Sequence, residues 1–311
     1  MTMLQWLTIR MAFLAACALW AAPLFAKEAR PPKWSRDVLD TFYNDAREAL
    51  EGERPDYGTG RSEATAQTAA DDSAAEPSAV AWSGVISADT LETEIKRTAK
   101  SLEVSLTTPS AFKGGGFKEV RRELGELAIL FAATAQYDGD ARWKDSAAGL
   151  REVFSRSAAH AKVGSDATFR EAEARQQELA ELIRGGRPQV TKAAAAVDDW
   201  SRVAARPPIM QRLNMAHQER LLPWLADENA FGQHQDEIRH EGQVVALLAN
   251  VIRRHAYEYS DDETFVGLAN ELQRAASDVA AAAESNNFER ARDAIGRATN
   301  ACANCHDGYR G

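Results

Sequence analysis

The chain has 311 residues, of which 45% are hydrophobic and 27% charged, and its formal net charge is −9. This composition is typical of a soluble globular protein, and the length suits two domains with extensions. Because nucleic acids and anionic membrane surfaces repel an acidic protein, the charge argues against both as partners.

The first 26 residues have the pattern of an export signal. Arg10 supplies the positive flank, residues 11–25 are nearly all apolar, and Ala26 precedes the expected cleavage point. The apolar run is too short for an integral membrane span. We therefore expect residues 1–26 to be removed on export to the periplasm. An alternative is a lipoprotein anchored at Cys17, because Leu14 to Cys17 resembles a lipoprotein cleavage site.

The next two segments differ in composition. Residues 27–58 contain one short helical candidate, with apolar side chains at helical spacing from Val38 to Leu50. Residues 59–81 are almost entirely small or polar. Such a segment buries too little apolar surface to offset its ordering entropy, so we expect a flexible linker.

From Trp82 onward the chain repeats itself at offsets between 118 and 122 residues. The matching positions include Trp82 and Trp200, Phe112 and Phe231, Glu123 and Glu241, Tyr137 and Tyr259, and Phe169 and Phe288. Drifting offsets are typical of loop insertions between diverged duplicates. The repeat predicts two tandem domains, at residues 82–190 and 198–311.

Each domain shows four amphipathic segments at helical spacing, so the sequence predicts an all-α protein with two antiparallel four-helix bundles. Ser260 to Glu263 has the pattern of a capping box that opens the third helix of the second bundle. Asn286 and Asn287 should end that helix, and Gly185 with Gly186 should end the first bundle.

The most specific motif lies near the end of the chain. Cys302-Ala303-Asn304-Cys305-His306 is Cys-x-x-Cys-His, the attachment sequence of a c-type haem. Two thiols add to the haem vinyl groups, and the adjacent imidazole becomes the axial iron ligand. A redox dithiol and a zinc site are the alternatives. The apolar spacing of the last helix continues through both cysteines, which should therefore point into the bundle.

The first bundle should carry no haem. At an offset of 119, the positions of Cys302, Cys305 and His306 are taken by Ile183, Gly186 and Arg187. We therefore expect one haem c per chain, held by the second bundle.

A four-helix bundle with this motif on its last helix, followed by Tyr309-Arg310, resembles the cytochrome c-prime (class II cytochrome c) family. The resemblance covers residues 200–311. It implies a haem near the surface with His306 as axial ligand and Arg310 beside the imidazole. It also implies that an apolar residue of the first helix covers the other face of the iron. Such five-coordinate haems bind nitric oxide or carbon monoxide and exchange electrons.

Three residues are candidates to cover or ligate the face of the iron opposite His306. Leu213 and Met210 lie where the family has its apolar residue, and the counterpart of Leu213 in the first bundle is the apolar Ile95. A Met210 thioether could also ligate iron. His217 lies one turn after Leu213, where the first bundle has Ala99. His217 is either a sixth ligand of the haem iron or a histidine at the edge of the core.

These observations favour electron transfer or gas binding by a haem, without catalysis. One alternative is a helical protein that binds a partner through its haem-free bundle and uses the haem as a sensor or relay. Another is a haem peroxidase, but the sequence shows no distal His-Arg pair for it. The redox partner is not identified by the sequence, and a homodimer is compatible with it.

Overall fold

The computed structural model describes residues 81–310. The predicted export signal (1–26), the N-terminal helical segment (27–58) and nearly all of the linker (59–81) lie outside this part. Within it, the regular structure is helical and no β-strand occurs, which confirms the predicted all-α fold. No helix of residues 81–310 is long and apolar enough to cross a membrane.

Eight main helices make up the described part of the chain. They are α1 (Ala88–Ser105), α2 (Phe117–Ala135), α3 (Lys144–His160), α4 (Asp166–Ile183), α5 (Arg206–Asn214), α6 (Gln235–Ile252), α7 (Glu263–Glu284) and α8 (Phe288–Tyr309). A π-helical stretch, Met215–Leu221, and a last turn, Leu222–Trp224, continue α5 without a break.

The helices pack in two sets of four. In the N-terminal set (α1–α4), α2 lies against α1 and α3, and α4 packs on both α1 and α3. In the C-terminal set (α5–α8), α7 lies between α6 and α8, and α5 packs on α6. Corresponding helices begin 118, 118, 119 and 122 residues apart, in the same order along the chain.

Local side-chain chemistry determines the helix ends. The predicted stop after α4 is confirmed, because Gly185 adopts a left-handed conformation with φ of +100° just beyond Arg184. The break between α7 and α8 is also confirmed, at Asn286 and Asn287. The predicted capping box at Ser260 is wrong. Asp262 is the N-cap of α7 instead, because its carboxylate accepts the Thr264 and Phe265 backbone N–H groups.

The two sets also pack against each other. Helix α2 lies against α5, and α1 lies against α6, so the sets form one compact unit. Trp82 and Trp200, both buried, meet between them with ring centroids 5.8 Å apart. The Arg254 guanidinium lies over both rings. The two tryptophans therefore join the start of one set to the start of the other by contacting one another.

One fully buried guanidinium connects the sets. Arg212 of α5 donates from Nη2 to Glu94 at 2.7 Å and from Nε to Glu126 at 2.5 Å. Its third partner, through Nη1, is Glu241 of α6. Because an unpaired charge inside a protein is very unfavourable, Arg212 requires the carboxylates of both sets at once.

Arg220 and His240 complete the cluster around Arg212. Arg220 donates to the second oxygen of Glu241 at 2.7 Å, and His240 Nε2 lies 2.7 Å from Glu94. The pKa of Glu126 is raised to about 8, because burial and the neighbouring Glu94 carboxylate raise it by more than Arg212 lowers it. With Glu126 protonated at neutral pH, the cluster holds one negative charge fewer than its three carboxyl groups could carry.

Glu126→Gln should flatten the pH dependence of stability. The folded protein keeps the Glu126 proton up to about pH 8, whereas the unfolded chain loses it near the ordinary pKa of 4.5. The free energy of unfolding therefore falls as pH rises between these values, by up to about 1.4 kcal/mol per pH unit from this group. Glutamine keeps the hydrogen-bonding shape and does not titrate. Urea unfolding across this pH range measures the slope.

Glu103→Gln is the matched control, because Glu103 is an exposed carboxylate on α1. It should leave the wild-type slope unchanged. Equal slopes in the wild-type protein and in Glu126→Gln would contradict the assignment.

Candidate functional site

Helix α8 places the attachment motif at its C-terminal end. Asn287 caps the first turn by accepting the Arg290 backbone N–H at 3.0 Å. The buried residues then recur at helical spacing along one face: Ala291, Ala294, Ile295, Ala298 and Ala301. Cys302 and Cys305 continue this face, so helical periodicity alone brings both thiols toward the body of the C-terminal set.

The two thiols are free and half-buried. Burial raises the pKa of Cys302 to about 11. It also raises the pKa of Cys305, although the nearby Arg206 charge opposes that shift. Redox-active dithiols need a lowered pKa, because the thiolate is the nucleophile. The raised values therefore argue against the redox alternative, and they keep both sulfurs as neutral thiols.

The zinc alternative also lacks support in the described residues. Within 81–310, no group of three or more His, Cys, Asp or Glu side chains is placed to hold a metal ion.

Two adjoining cavities meet at the motif. The smaller, of about 250 Å³, lies between α5, α7 and α8. The larger is an open cleft of about 1190 Å³, and it extends to the start of α2. The residues that line both are Met210, Asn214, Cys305 and His306. Together these cavities reach the size of cofactor pockets, which are commonly about 300–1,000 Å³.

His306 lies at the junction of the two cavities. Its side chain is exposed, and it has no hydrogen-bond or ion-pair partner among residues 81–310. The imidazole is therefore available as a ligand. Two neutral thiols one turn apart fit the vinyl attachment of a c-type haem, and the free imidazole beside them fits its iron ligand.

Leu213 and Met210 line the smaller cavity together with Cys302, Cys305 and His306. Leu213 is buried and Met210 is half-buried. Met210 also lines the open cleft, so its thioether borders both spaces. The wall opposite the cysteines thus has an aliphatic part at Leu213 and a sulfur at Met210.

His217 lies on the π-helical stretch and lines the smaller cavity. The Gln218 amide donates to its Nδ1 at 2.9 Å, so its Nε2 carries the hydrogen and donates to the Thr299 hydroxyl at 2.8 Å. That hydroxyl in turn donates to the Ile295 carbonyl. Burial lowers the pKa of His217 and keeps it neutral. Both ring nitrogens are engaged, which favours the core-edge role over iron ligation.

Arg310, which the resemblance places beside the imidazole, lies just beyond the last helix. Helix α8 ends at Tyr309, and Arg310 follows it with an extended backbone. Its exposed side chain nevertheless lines the cleft together with His306.

Three contacts near the motif were not predicted. The Tyr309 hydroxyl donates to Asp262 at 2.9 Å, which joins the end of α8 to the start of α7. Arg206 stacks over Phe265, 5.3 Å from its ring centroid, and borders the cleft. Thr299 orients His217. The Pro207-Pro208 pair that follows Arg206 marks the start of a helix, and this sequence signal could have placed Arg206 at the first turn of α5.

Comparison with known proteins supports the site. Residues 253–310 match the model of the Cytochrome C' family. The match covers α7, α8 and the whole attachment motif. This part of the chain is therefore similar to cytochromes of the c-prime class, which carry a covalent haem c and serve in electron transfer or gas binding. No curated protein and no solved structure matches the chain.

Proposed function

We propose that the chain is an exported cytochrome with one haem c, attached at Cys302 and Cys305 and ligated by His306, that binds nitric oxide or carbon monoxide. The observation that carries this proposal is the group of two neutral thiols and a free imidazole at the junction of the two cavities. When bound, the haem supplies an iron that takes up a diatomic gas or an electron.

The residues of the chain have separate tasks in this proposal. Cys302 and Cys305 would tether the macrocycle to α8, and His306 would supply a nitrogen ligand to its iron. Leu213 covers the opposite side with an aliphatic group that offers no ligand. Because side chains in a packed interior leave little free space, an incoming gas must displace Leu213.

Gas binding is favoured over electron transfer by His217. Its ring nitrogens are both occupied by Gln218 and Thr299, so a second imidazole ligand would break two hydrogen bonds. Electron transfer is the second candidate, and Met210 supports it. A thioether ligand would close the iron to gases and raise its reduction potential.

A peroxidase is the weakest alternative. Cleavage of bound peroxide needs a polar pair that moves protons on the distal side. Arg212, which precedes Leu213 on α5, is held by three carboxyl groups in the interior and is not available for that task.

The N-terminal set is a haem-free duplicate in this proposal. Its helices follow the order of the C-terminal set, but the capped starts of α4 and α8 lie 122 residues apart instead of the expected 119. The counterparts of the motif then become Ala180, Ile183 and Arg184. In either register the duplicate lacks both thiols and the imidazole. A role in binding a partner, with the haem as sensor or relay, remains compatible with this set.

Export rests on the sequence pattern of residues 1–26. The periplasm is the compartment where bacteria attach c-type haem, so the signal and the motif support each other. Anchoring at Cys17 is the alternative form of the exported protein.

Covalent attachment is tested by replacing the thiols. In the wild-type protein, haem should stay with the polypeptide on a denaturing gel, at one haem per chain, because thioether bonds survive denaturation. Cys302→Ala combined with Cys305→Ala should abolish the haem stain. Haem that stays attached in this double variant, or two haems in the wild-type chain, would contradict the proposal.

The covering role of Leu213 is tested by gas kinetics. Leu213→Ala should speed carbon monoxide association with the reduced protein, because the side chain that must move is gone. The cavity should also cost about 2–5 kcal/mol of stability. Stopped-flow mixing measures the rate, and urea unfolding measures the stability.

Ile95→Ala is the matched control, since Ile95 is the buried counterpart of Leu213 in α1. It should cost a similar free energy of unfolding and leave the association rate unchanged. Equal acceleration in both variants would contradict the role of Leu213. A protein that binds carbon monoxide only after Met210→Ala would establish Met210 as a thioether ligand and favour electron transfer. A protein that binds carbon monoxide only after His217→Ala would establish His217 as a second imidazole ligand.

A further inference from the structure

Two contacts between the helix sets join equivalent positions of the repeat. Trp82 and Trp200 are 118 residues apart and pack ring against ring. Glu94 and Arg212 are also 118 residues apart and form an ion pair at 2.7 Å. In a symmetric pair of identical units, residues that contact their own copies lie on the two-fold axis. These two pairs therefore mark a pseudo-two-fold axis between the sets.

Other contacts between the sets are reciprocal, as such an axis requires. Gln243 of α6 accepts the Ser87 backbone N–H of the N-terminal set at 3.0 Å. The position equivalent to Gln243 in α2 is Gly125, and a Cβ placed there would lie 3.6 Å from Ala204 Cβ of the other set. Ala204 is in turn equivalent to Ile86, the neighbour of Ser87. Each set thus uses the same face.

In each set, a buried tyrosine hydroxyl donates to an equivalent backbone carbonyl, which supports the same alignment of the two sets. Tyr137 donates to the Ile86 carbonyl at 3.3 Å, and Tyr257 donates to the Ala204 carbonyl at 2.7 Å. The sequence pattern had paired Tyr137 with Tyr259. The structure shows that Tyr257 has the equivalent contact.

At the pseudo-two-fold axis, the N-terminal set contributes Glu94 and the C-terminal set contributes Arg212, which have opposite charges. Two identical sets would bring Glu against Glu, or Arg against Arg, at this position. Both side chains are almost fully buried, with exposed fractions of 2% for Glu94 and 1% for Arg212, so water would not screen the repulsion. A pair made of one set of each kind brings Glu94 against Arg212 and is attractive. The charges therefore select unlike partners over like ones.

We propose that the haem-free set is a built-in partner that occupies the pairing face of the haem-carrying set and excludes a second copy of the chain from it. This inference rests on the duplication in the proposed function. Glu94 and Arg212 provide the selection, and Glu126 extends the contact from the N-terminal side. The homodimer that the sequence allowed is then blocked at this face, and the protein is a monomer.

Charge variants of the full chain test the proposal. Glu94→Arg gives both sets an arginine at the axis, and Arg212→Glu gives both a glutamate. Each variant alone should lose the contact between its sets, which sedimentation velocity detects as a lower sedimentation coefficient at unchanged mass. When the two variant chains are mixed, each axis can again join opposite charges between chains, so a dimer of twice the mass should form.

Glu103→Arg is the control, a charge reversal at an exposed position of the same helix α1. It should sediment like the wild-type monomer, alone and in the mixture. Variants that stay as compact as the wild-type protein would overturn the proposal, and so would folded, opened variants that form no dimer on mixing.

The wild-type protein provides a test that does not depend on the folding of the variants. It should remain a monomer at all concentrations, and a stable wild-type dimer would overturn the proposal. Haem absorbance of the same samples separates this result from the proposed function. A monomer without haem would refute the cytochrome assignment alone, and a haem-carrying dimer would refute the built-in partner alone.

Discussion

The buried Arg212 guanidinium is the contact on which the arrangement of the two helix sets depends. Its charge is stabilised in the interior by carboxyl groups on α1, α2 and α6, so neither set can satisfy it alone. The next residue, Leu213, lines the cavity beside the attachment motif. The same turn of α5 therefore connects the interior between the sets to the wall of the candidate haem site.

At the opposite wall, the geometry follows from helical periodicity. Cys302 and Cys305 are one turn apart on α8, so a group bonded to both thiols must lie along the helix, next to His306. The Tyr309–Asp262 hydrogen bond holds this helix end against α7. On the cavity wall formed by α5, the sequence allowed His217 to be a free imidazole. In the structure, Thr299 and Gln218 occupy both of its ring nitrogens, so this wall offers fewer free polar groups.

Features determined by neighbouring residues could be predicted from the sequence, and those determined by distant contacts could not. The motif, the glycine stop at Gly185 and the break at Asn286 are local, and the structure confirms the helix ends. The cap of α7 was misplaced because Ser260 and Asp262 both suit that position, and only the backbone conformation selects Asp262. Pairing of Glu94 with Arg212 and of His217 with Thr299 joins residues far apart in sequence, which helical periodicity does not relate.

The central claim is that the chain carries a haem whose second axial position is covered by an aliphatic side chain and has no protein ligand. The optical spectrum of the reduced wild-type protein, recorded without added gas, tests it most directly. We predict the spectrum of a high-spin, five-coordinate haem c, because Leu213 offers no donor atom and His217 is engaged elsewhere. A low-spin, six-coordinate spectrum, or a purified protein without haem absorption, would contradict it.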